Sequence, residues 1–290
     1  MNTLLQDQNK ESFIRLLRAQ RTAYSNAKKY QIIDLISILI AISPTILLLI
    51  NYDSQKVTTI IAVIGVVWTL ISIFIQSFME KQTKIGATIQ DQFDTSLFKL
   101  EPNKILVGNN IEISKLLELS NKYTKDDLND WYSINIPPQI DNDASVLLAY
   151  KCNAIYGKAQ RKKYIRFIQI AIFLYYGGMI FLALYKNTGL FDLAILLAPS
   201  IPALVFGTYT IKAQNGIIDT YEKINNTVGE MYEQYKLNSI NPSKIELRQI
   251  QDLFYTQRLI SNKVPDWFYR LFKTKTEELV NESIRIITTE

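Results

Sequence analysis

Four long apolar runs divide the chain, and between them apolar residues recur at helical spacing. The runs are Ile32–Ile50, Val57–Phe78, Phe167–Tyr185 and Leu190–Ile211. Each has the length, roughly 17–25 residues, that a helix needs to cross a hydrocarbon core. The second and third hold no charged residue. The first carries Asp34 and Pro44, and the fourth Asp192, Pro199 and Pro202. Only Asn51–Lys56 joins the first pair and only Lys186–Gly189 the second. Connectors this short allow little beyond a tight turn, so the pattern predicts two transmembrane hairpins.

Outside the runs the period is that of an amphipathic helix. Phe13, Leu16, Leu17, Ala23, Tyr24 and Ala27 mark one face of a helix from Ser12 to Tyr30 that enters the first span. A similar helix from Val146 to Tyr164 enters the third. Ile217, Tyr221, Ile224, Val228, Met231 and Tyr235 carry a helix out of the fourth. Asn241-Pro242 reads as a cap and first-turn proline opening a further helix. Val264-Pro265-Asp266 breaks the chain before the last one. Leu100–Ile140, with Pro102, Pro137 and Pro138, is the least regular stretch and predicts loops and short helices. The expected fold is an all-α integral membrane protein, with four transmembrane helices in two hairpins and long cytoplasmic helical extensions. Its divisions are an amphipathic helix at 1–31, hairpin one at 32–78, a central region at 79–163, hairpin two at 164–211 and a C-terminal helical region at 212–290.

Charge adds orientation. Of the 32 lysines and arginines, only Lys56 and Lys186 fall in the short connectors. The others precede the first span, lie between spans two and three, or follow span four, with a cluster at Lys158, Arg161, Lys162, Lys163 and Arg166. Basic residues mark segments retained inside. Both termini and the central region are therefore expected on the cytoplasmic side of a multi-pass membrane protein. The net charge of +5 and pI near 9.0 read as topology, with no DNA or RNA partner expected. Each hairpin is preceded by Lys-Lys-Tyr, at 28–30 and 162–164. That leaves two readings open: an internal duplication, or the usual ending of a helix that enters a bilayer. The first thirty residues lack a signal-peptide pattern.

Composition removes most catalytic chemistries. The chain has no histidine, so no His-based triad, histidine general base or His-ligated metal is expected. Its one cysteine, Cys152, has no histidine to activate it and reads as a small helix residue. No GxGxxG, P-loop or GxSxG pattern occurs. No catalytic residue, metal or cofactor is expected.

Polar groups within the spans are the first candidates for function. Asp34 and Arg166 lie at similar depth in spans entered from one side; they either pair or reach separately to the headgroups. Pro44, Pro199 and Pro202 free backbone carbonyls and kink helices, which suits either a gating path or a static bundle. A second group of candidates sets aromatics beside arginines: Trp131 and Tyr132, then Arg248, Tyr255 and Arg258, then Trp267, Tyr269 and Arg270. Such faces stack bases and hold phosphates, or serve simply as core with basic rims.

Several stretches together resemble the SMODS-associating four-transmembrane effector family of bacterial anti-phage CBASS operons. Leu16-Leu17-Arg18-Ala19-Gln20-Arg21, with Tyr24 and Ala27-Lys28, is similar to that family's entry helix. Asp91-Gln92-Phe93-Asp94-Thr95-Ser96-Leu97-Phe98 is similar to its aspartate-phenylalanine-aspartate segment. Trp131-Tyr132 and Lys151-Cys152-Asn153 match central features, although the family pattern has a glutamine after the cysteine and a more arginine-rich run before span three. Leu247-Arg248-Gln249-Ile250-Gln251, Arg258 and Val264-Pro265-Asp266-Trp267-Phe268-Tyr269 resemble its last block.

The resemblance implies a non-enzymatic effector. A CD-NTase would make a cyclic oligonucleotide messenger on infection. The effector would bind it through its cytoplasmic region, assemble as a homo-oligomer and permeabilise the bacterial inner membrane in abortive infection. The aromatic-basic clustering and the family-like motifs together make Arg248, Tyr255, Arg258, Trp267, Tyr269 and Arg270, with Trp131 and Tyr132, the expected sensing region. The alternative is a membrane scaffold that recruits cytoplasmic proteins. A transporter fits less well, because four spans with few buried charges offer little path.

Overall fold

The computed structural model describes residues 2–49, 55–125, 127–260 and 263–289, and every regular element among them is helical. The order is α1 (Leu4–Asp7), α2 (Glu11–Leu49), α3 (Gln55–Phe98), α4 (Ile113–Asn121), α5 (Asn142–Tyr185), α6 (Leu190–Leu197), a 3-10 turn (Ala198–Ser200), α7 (Ile201–Asn238), α8 (Lys244–Arg258) and α9 (Asp266–Thr289). The long members are α2, α3, α5 and α7. The 44 residues of α3 and of α5 reach about 66 Å at 1.5 Å per residue. That is about twice a bilayer core, so each of these helices joins an apolar half to a polar-flanked half without a break. α2 packs along α3 and α5 along α7; α4 lies on α2, α9 on α5 and α8 on α3.

Among the described residues, one helix is long and apolar enough to cross a membrane by length and composition, namely α5. The other three runs include residues whose side chains lie outside the described set. The apolar stretch of α5 is not a soluble-core helix, since only 11% of it is buried inside the protein. Phe173, Leu174, Phe181 and Leu184 face outward. On α3 the exposed residues Val63, Val67, Ile71, Phe74 and Phe78 fall at intervals of four, four, three and four, a continuous outward stripe along one side. Contiguous exposed apolar surface of this kind calls for an apolar partner.

The fourth run departs from the single span expected of it. It divides into α6, the 3-10 turn and the start of α7. Pro199 and Pro202 have no N–H to continue the ladder across this point. The Ala198 carbonyl, which Pro202 cannot reach with an N–H, accepts from the Ile201 N–H, and hydroxyls from α5 and from the turn bond the neighbouring carbonyls. Tyr176 Oη donates to the Ser200 carbonyl at 3.0 Å, and Ser200 Oγ donates to the Leu197 carbonyl at 2.7 Å. By contrast α2 runs through position 44 unbroken. The side chains of Asp34, Pro44, Pro199 and Pro202 lie outside the described residues, and so does the proposed Asp34–Arg166 pair. Arg166 itself is exposed on α5.

The polar-flanked halves share one core. Leu17 and Ala23 of α2, Ile89 and Phe93 of α3, Leu147 and Tyr150 of α5, Val228 of α7, Phe254 of α8 and Ile284 of α9 are fully enclosed within it. The irregular segment 100–140 is held to this core by Tyr132, whose ring lies 6.4 Å from Phe93 and 5.5 Å from Phe98. The N-terminus satisfies its loose backbone: Asn2 Nδ2 donates to the Pro137 carbonyl at 2.8 Å, and Gln8 Oε1 accepts from the Tyr132 N–H at 2.9 Å. Buried polar backbone needs such partners.

α8 starts later than the Asn241-Pro242 reading, because Ser243 caps it. Ser243 Oγ accepts from the Glu246 N–H while the Glu246 carboxylate accepts from the Ser243 N–H, a reciprocal capping box. The tyrosines of the two Lys-Lys-Tyr motifs sit where the apolar halves begin. Tyr30 stacks on Phe78 at 5.9 Å, and Tyr164 meets Phe268 edge-on at 5.2 Å.

Candidate functional site

Helical periodicity brings cations and aromatics from five helices to one cavity of about 850 Å³. On α2, Arg21, Tyr24 and Lys28 share a face at spacings of three and four. On α5, Asn153, Gly157 and Arg161 do so one turn apart. Tyr221 comes from α7, Phe254 and Arg258 from the end of α8, and Asp266, Tyr269, Arg270 and Lys273 from the start of α9; residues 122–125 and 127–134 close one side. Gly157 permits the approach of α7, since a Cβ there would lie 2.1 Å from Tyr221 Cε2.

The lining carries ten lysines and arginines against four aspartates and glutamates, so the cavity is electropositive. The aromatic content is equally marked. Arg21 lies between two rings, its Cζ 5.0 Å from the Trp131 centroid and 5.1 Å from that of Tyr269, and its Nη2 donates to Tyr269 Oη at 3.0 Å. Burial pushes the Tyr269 phenol up, but Arg21 together with Tyr156 and Lys273 outweighs it and the net shift is down. Arg161 lies over the Tyr221 ring at 5.1 Å and donates to the Gly157 carbonyl at 3.0 Å. Lys28 Nζ pairs with Asp266 at 2.6 Å. Lys263 Nζ lies 5.3 Å from the Tyr24 ring and donates to the Arg258 carbonyl. Arg21 Nε and Arg161 Nε are buried without a hydrogen-bond partner.

Beneath the cavity a buried charge network ties α8 to α3. Asp94 is fully buried and accepts from Arg258 Nη1 at 2.6 Å, Tyr132 Oη at 2.7 Å and Gln251 Nε2 at 3.2 Å. Asp91 accepts from Gln251 Nε2 at 2.9 Å and Arg248 Nη2 at 3.0 Å, and Arg248 also pairs with Asp252. Burial pushes the Arg258 pKa down, but Asp94 together with Tyr24, Tyr132 and Tyr221 outweighs it and the net shift is up.

Of the residues singled out in the sequence, Trp131, Tyr132, Arg258, Tyr269 and Arg270 line this cavity and Arg248, Tyr255 and Trp267 do not. Arg248 is occupied by Asp91 and Asp252. Tyr255 is enclosed in the core. Trp267 is half exposed and meets Phe167 edge-on at 5.6 Å, where the third apolar run begins. Arg21, Lys28, Arg161 and Lys263 were not among those residues. Arg21 and Lys28 had a local signal, their spacing with Tyr24 on α2. Cys152 also lines the cavity, where burial pushes its thiol up to about 12; at neutral pH it is no nucleophile. No cluster of histidine, cysteine, aspartate or glutamate among the described residues could hold a metal ion.

The described residues thus form an all-helical protein with outward-facing apolar helices and one electropositive, aromatic cavity. Comparison with known sequences names its family. The chain belongs to the SMODS-associating 4TM effector domain family, whose sequence pattern matches residues 2–287. It is 28% identical over 98% of its length to a protein of Bacillus cereus (strain VD146) named "Probable CBASS effector molecule", and covers 98% of that protein. No solved structure matches. The family assigns the chain to the effectors of anti-phage defence.

Proposed function

We propose that the protein is a four-span effector of the bacterial inner membrane that binds a cyclic oligonucleotide messenger from a CD-NTase, oligomerises and permeabilises the bilayer. The observation that carries this reading is the cavity. At about 850 Å³ it falls within the ~300–1,000 Å³ of small-molecule sites. It combines an excess of cations, which suits phosphodiesters, with ring faces, which suit bases. The outward stripes on α3 and α5 support the bilayer as a second partner.

The route from cavity to membrane is short in this reading. Arg258 lines the cavity and is paired with Asp94 on α3, and α3 runs unbroken into an apolar half. A messenger drives assembly only through unequal affinity for the resting and assembled states. A phosphate that draws Arg258 away from Asp94 supplies such a difference.

The test is dye leakage from liposomes containing the purified protein, titrated with a panel of cyclic di- and trinucleotides. Leakage with one member of the panel and not the others is expected. Silence across the panel, with insertion and helicity verified, would overturn the messenger reading and favour a scaffold.

A further inference from the structure

Charge balance within the cavity is uneven. Asp266 faces Lys28 and Asp94 faces Arg258 at ion-pair distance. Arg161 and Lys263 have no carboxylate at such a distance among the described residues. Arg161 is held over Tyr221 by its bond to the Gly157 carbonyl, leaving its buried Nε unpartnered. Among the described residues the Lys263 ammonium donates one hydrogen bond, to the Arg258 carbonyl, while its backbone is tied to the Gln31 amide; an ammonium has three donors to offer. Arg161, Lys28 and Arg258 all act on Lys263, so four cations from α2, α5, α8 and the α8–α9 link crowd one wall. Burial, reinforced by those three, pushes the Lys263 ammonium well below the usual lysine value. Crowding like charges in a shielded place is unfavourable without a counter-charge. Here part of that counter-charge is missing from the chain.

We infer that Lys28, Arg161, Arg258 and Lys263 form a phosphate subsite that holds a phosphodiester, beside the Trp131–Arg21–Tyr269 stack that would receive a ring. This rests on the messenger reading only for the identity of the ligand; the subsite itself rests on the unbalanced cations. Phosphodiesters occur in cyclic nucleotides and in phospholipid headgroups. The second source matters because Val264, next to Lys263, packs with Tyr164 and Phe268 where the third apolar run begins.

The experiment uses the full chain in phosphatidylcholine nanodiscs, with inorganic triphosphate as the probe in isothermal titration at low salt. Wild type is expected to bind. Lys263→Met and Arg161→Met should each weaken binding about tenfold or more, as for loss of one charge-assisted hydrogen bond. Lys263→Arg, which keeps the charge, should bind nearly as wild type, and Lys244→Met, an exposed lysine of α8 outside the cavity, should leave triphosphate affinity unchanged. Circular dichroism and the thermal midpoint check that each variant is folded. No binding by wild type, or equal binding by folded Lys263→Met and Arg161→Met, overturns the subsite. Nanodiscs with added phosphatidylglycerol separate the sources: a drop in triphosphate affinity assigns the subsite to a headgroup, an unchanged affinity to a soluble ligand, and both keep it. Triphosphate binding together with silence to the cyclic nucleotide panel keeps the subsite and removes the messenger reading. Nucleotide-driven leakage that both methionine variants leave intact removes the subsite and keeps that reading.

Discussion

Replacing Asp94 by asparagine removes one charge from the network between α3 and α8 at nearly constant shape. Two effects compete in the outcome. Asparagine Oδ1 can still accept from Arg258 or Tyr132, so the loss of hydrogen bonding alone would cost about 1 kcal/mol. The larger effect is electrostatic. Asp94 has no exposure and Arg258 is 7% exposed, and among the described residues Asp94 is the one carboxylate paired with Arg258. The substitution therefore leaves a guanidinium buried without its counter-ion, at a cost of about 3–5 kcal/mol. The amide also turns its N–H₂ either toward Arg258 and Gln251 Nε2, both donors, or toward Tyr132 Oη, which can accept. At about 2–4 °C per kcal/mol for a chain of this order of size, the thermal midpoint should fall by about 6–20 °C.

Asp91→Asn is the internal comparison. Arg248 keeps Asp252 as a second carboxylate, so that variant should lose only about 1 kcal/mol. Arg258→Met combined with Asp94→Asn should recover most of the loss, because removing both partners of a buried pair is far cheaper than removing one. The assay is thermal unfolding in nanodiscs followed by circular dichroism, arranged as a double-mutant cycle. An Asp94→Asn midpoint within about 2 °C of wild type, or strictly additive losses in the double variant, would refute the pairing as the clamp between α3 and α8.

Two further perturbations test the cavity walls. Gly157→Ala places a Cβ 2.1 Å from Tyr221 Cε2 and 2.8 Å from Cδ2. The ring and the Arg161 above it must shift, at about 1–3 kcal/mol of overpacking. A lowered melting midpoint and weakened triphosphate binding are expected, whereas Gly216→Ala on the same assays should be neutral or slightly stabilising, since nothing lies within 4 Å of its added Cβ. Lys263→Met tests the crowded ammonium through pH. Lys263 is pushed down by burial and by Arg161, Lys28 and Arg258, with Tyr24 and Asp266 also lining the same cavity. Between its lowered folded value and the ordinary 10.5, the unfolded chain holds a proton that the folded chain lacks, so this group's contribution to stability rises with pH. Lys263→Met should therefore be more stable than wild type at neutral pH, and its advantage should shrink as pH approaches 10.5. A constant difference in midpoint from pH 7 to 10 would refute the assignment.

Much of the fold was legible because helix period and helix ends are local signals. The apolar spacing of residues 12–30, 146–164 and 217–235 lies within α2, α5 and α7, and the Val264-Pro265-Asp266 break does precede α9. The errors were equally local. Ser243-Lys244-Ile245-Glu246 carries the full capping-box pattern, and the more conspicuous Asn241-Pro242 drew the boundary two residues early. In the fourth apolar run, two prolines three residues apart gave enough reason to expect a break in the helix and not only a bend. The 3-10 turn between α6 and α7 is that break.

The site was legible only where chemistry and position coincide on one element. Aromatic-basic clustering picked out Trp131, Arg258 and Tyr269, but it also picked Trp267. That residue lies about 100° around α9 from Phe268, which begins the buried stripe continued by Thr276, Val280 and Ile284. Arg248 and Arg258 look equivalent in the sequence, and what separates them is long-range: Arg248 meets two carboxylates below the cavity and Arg258 meets one at its wall. A usable signal for that network did exist. Asp91 and Asp94 lie within a few residues of Ile89, Phe93 and Leu97 on α3, and carboxylates buried beside such a face demand cationic partners. Lys263 had no such signal. It is one lysine before a Val-Pro pair, and its character comes from cations on α2, α5 and α8, distant in sequence. The proton affinity of Lys263 is therefore set entirely by the tertiary structure, because the helices bring those cations together around it.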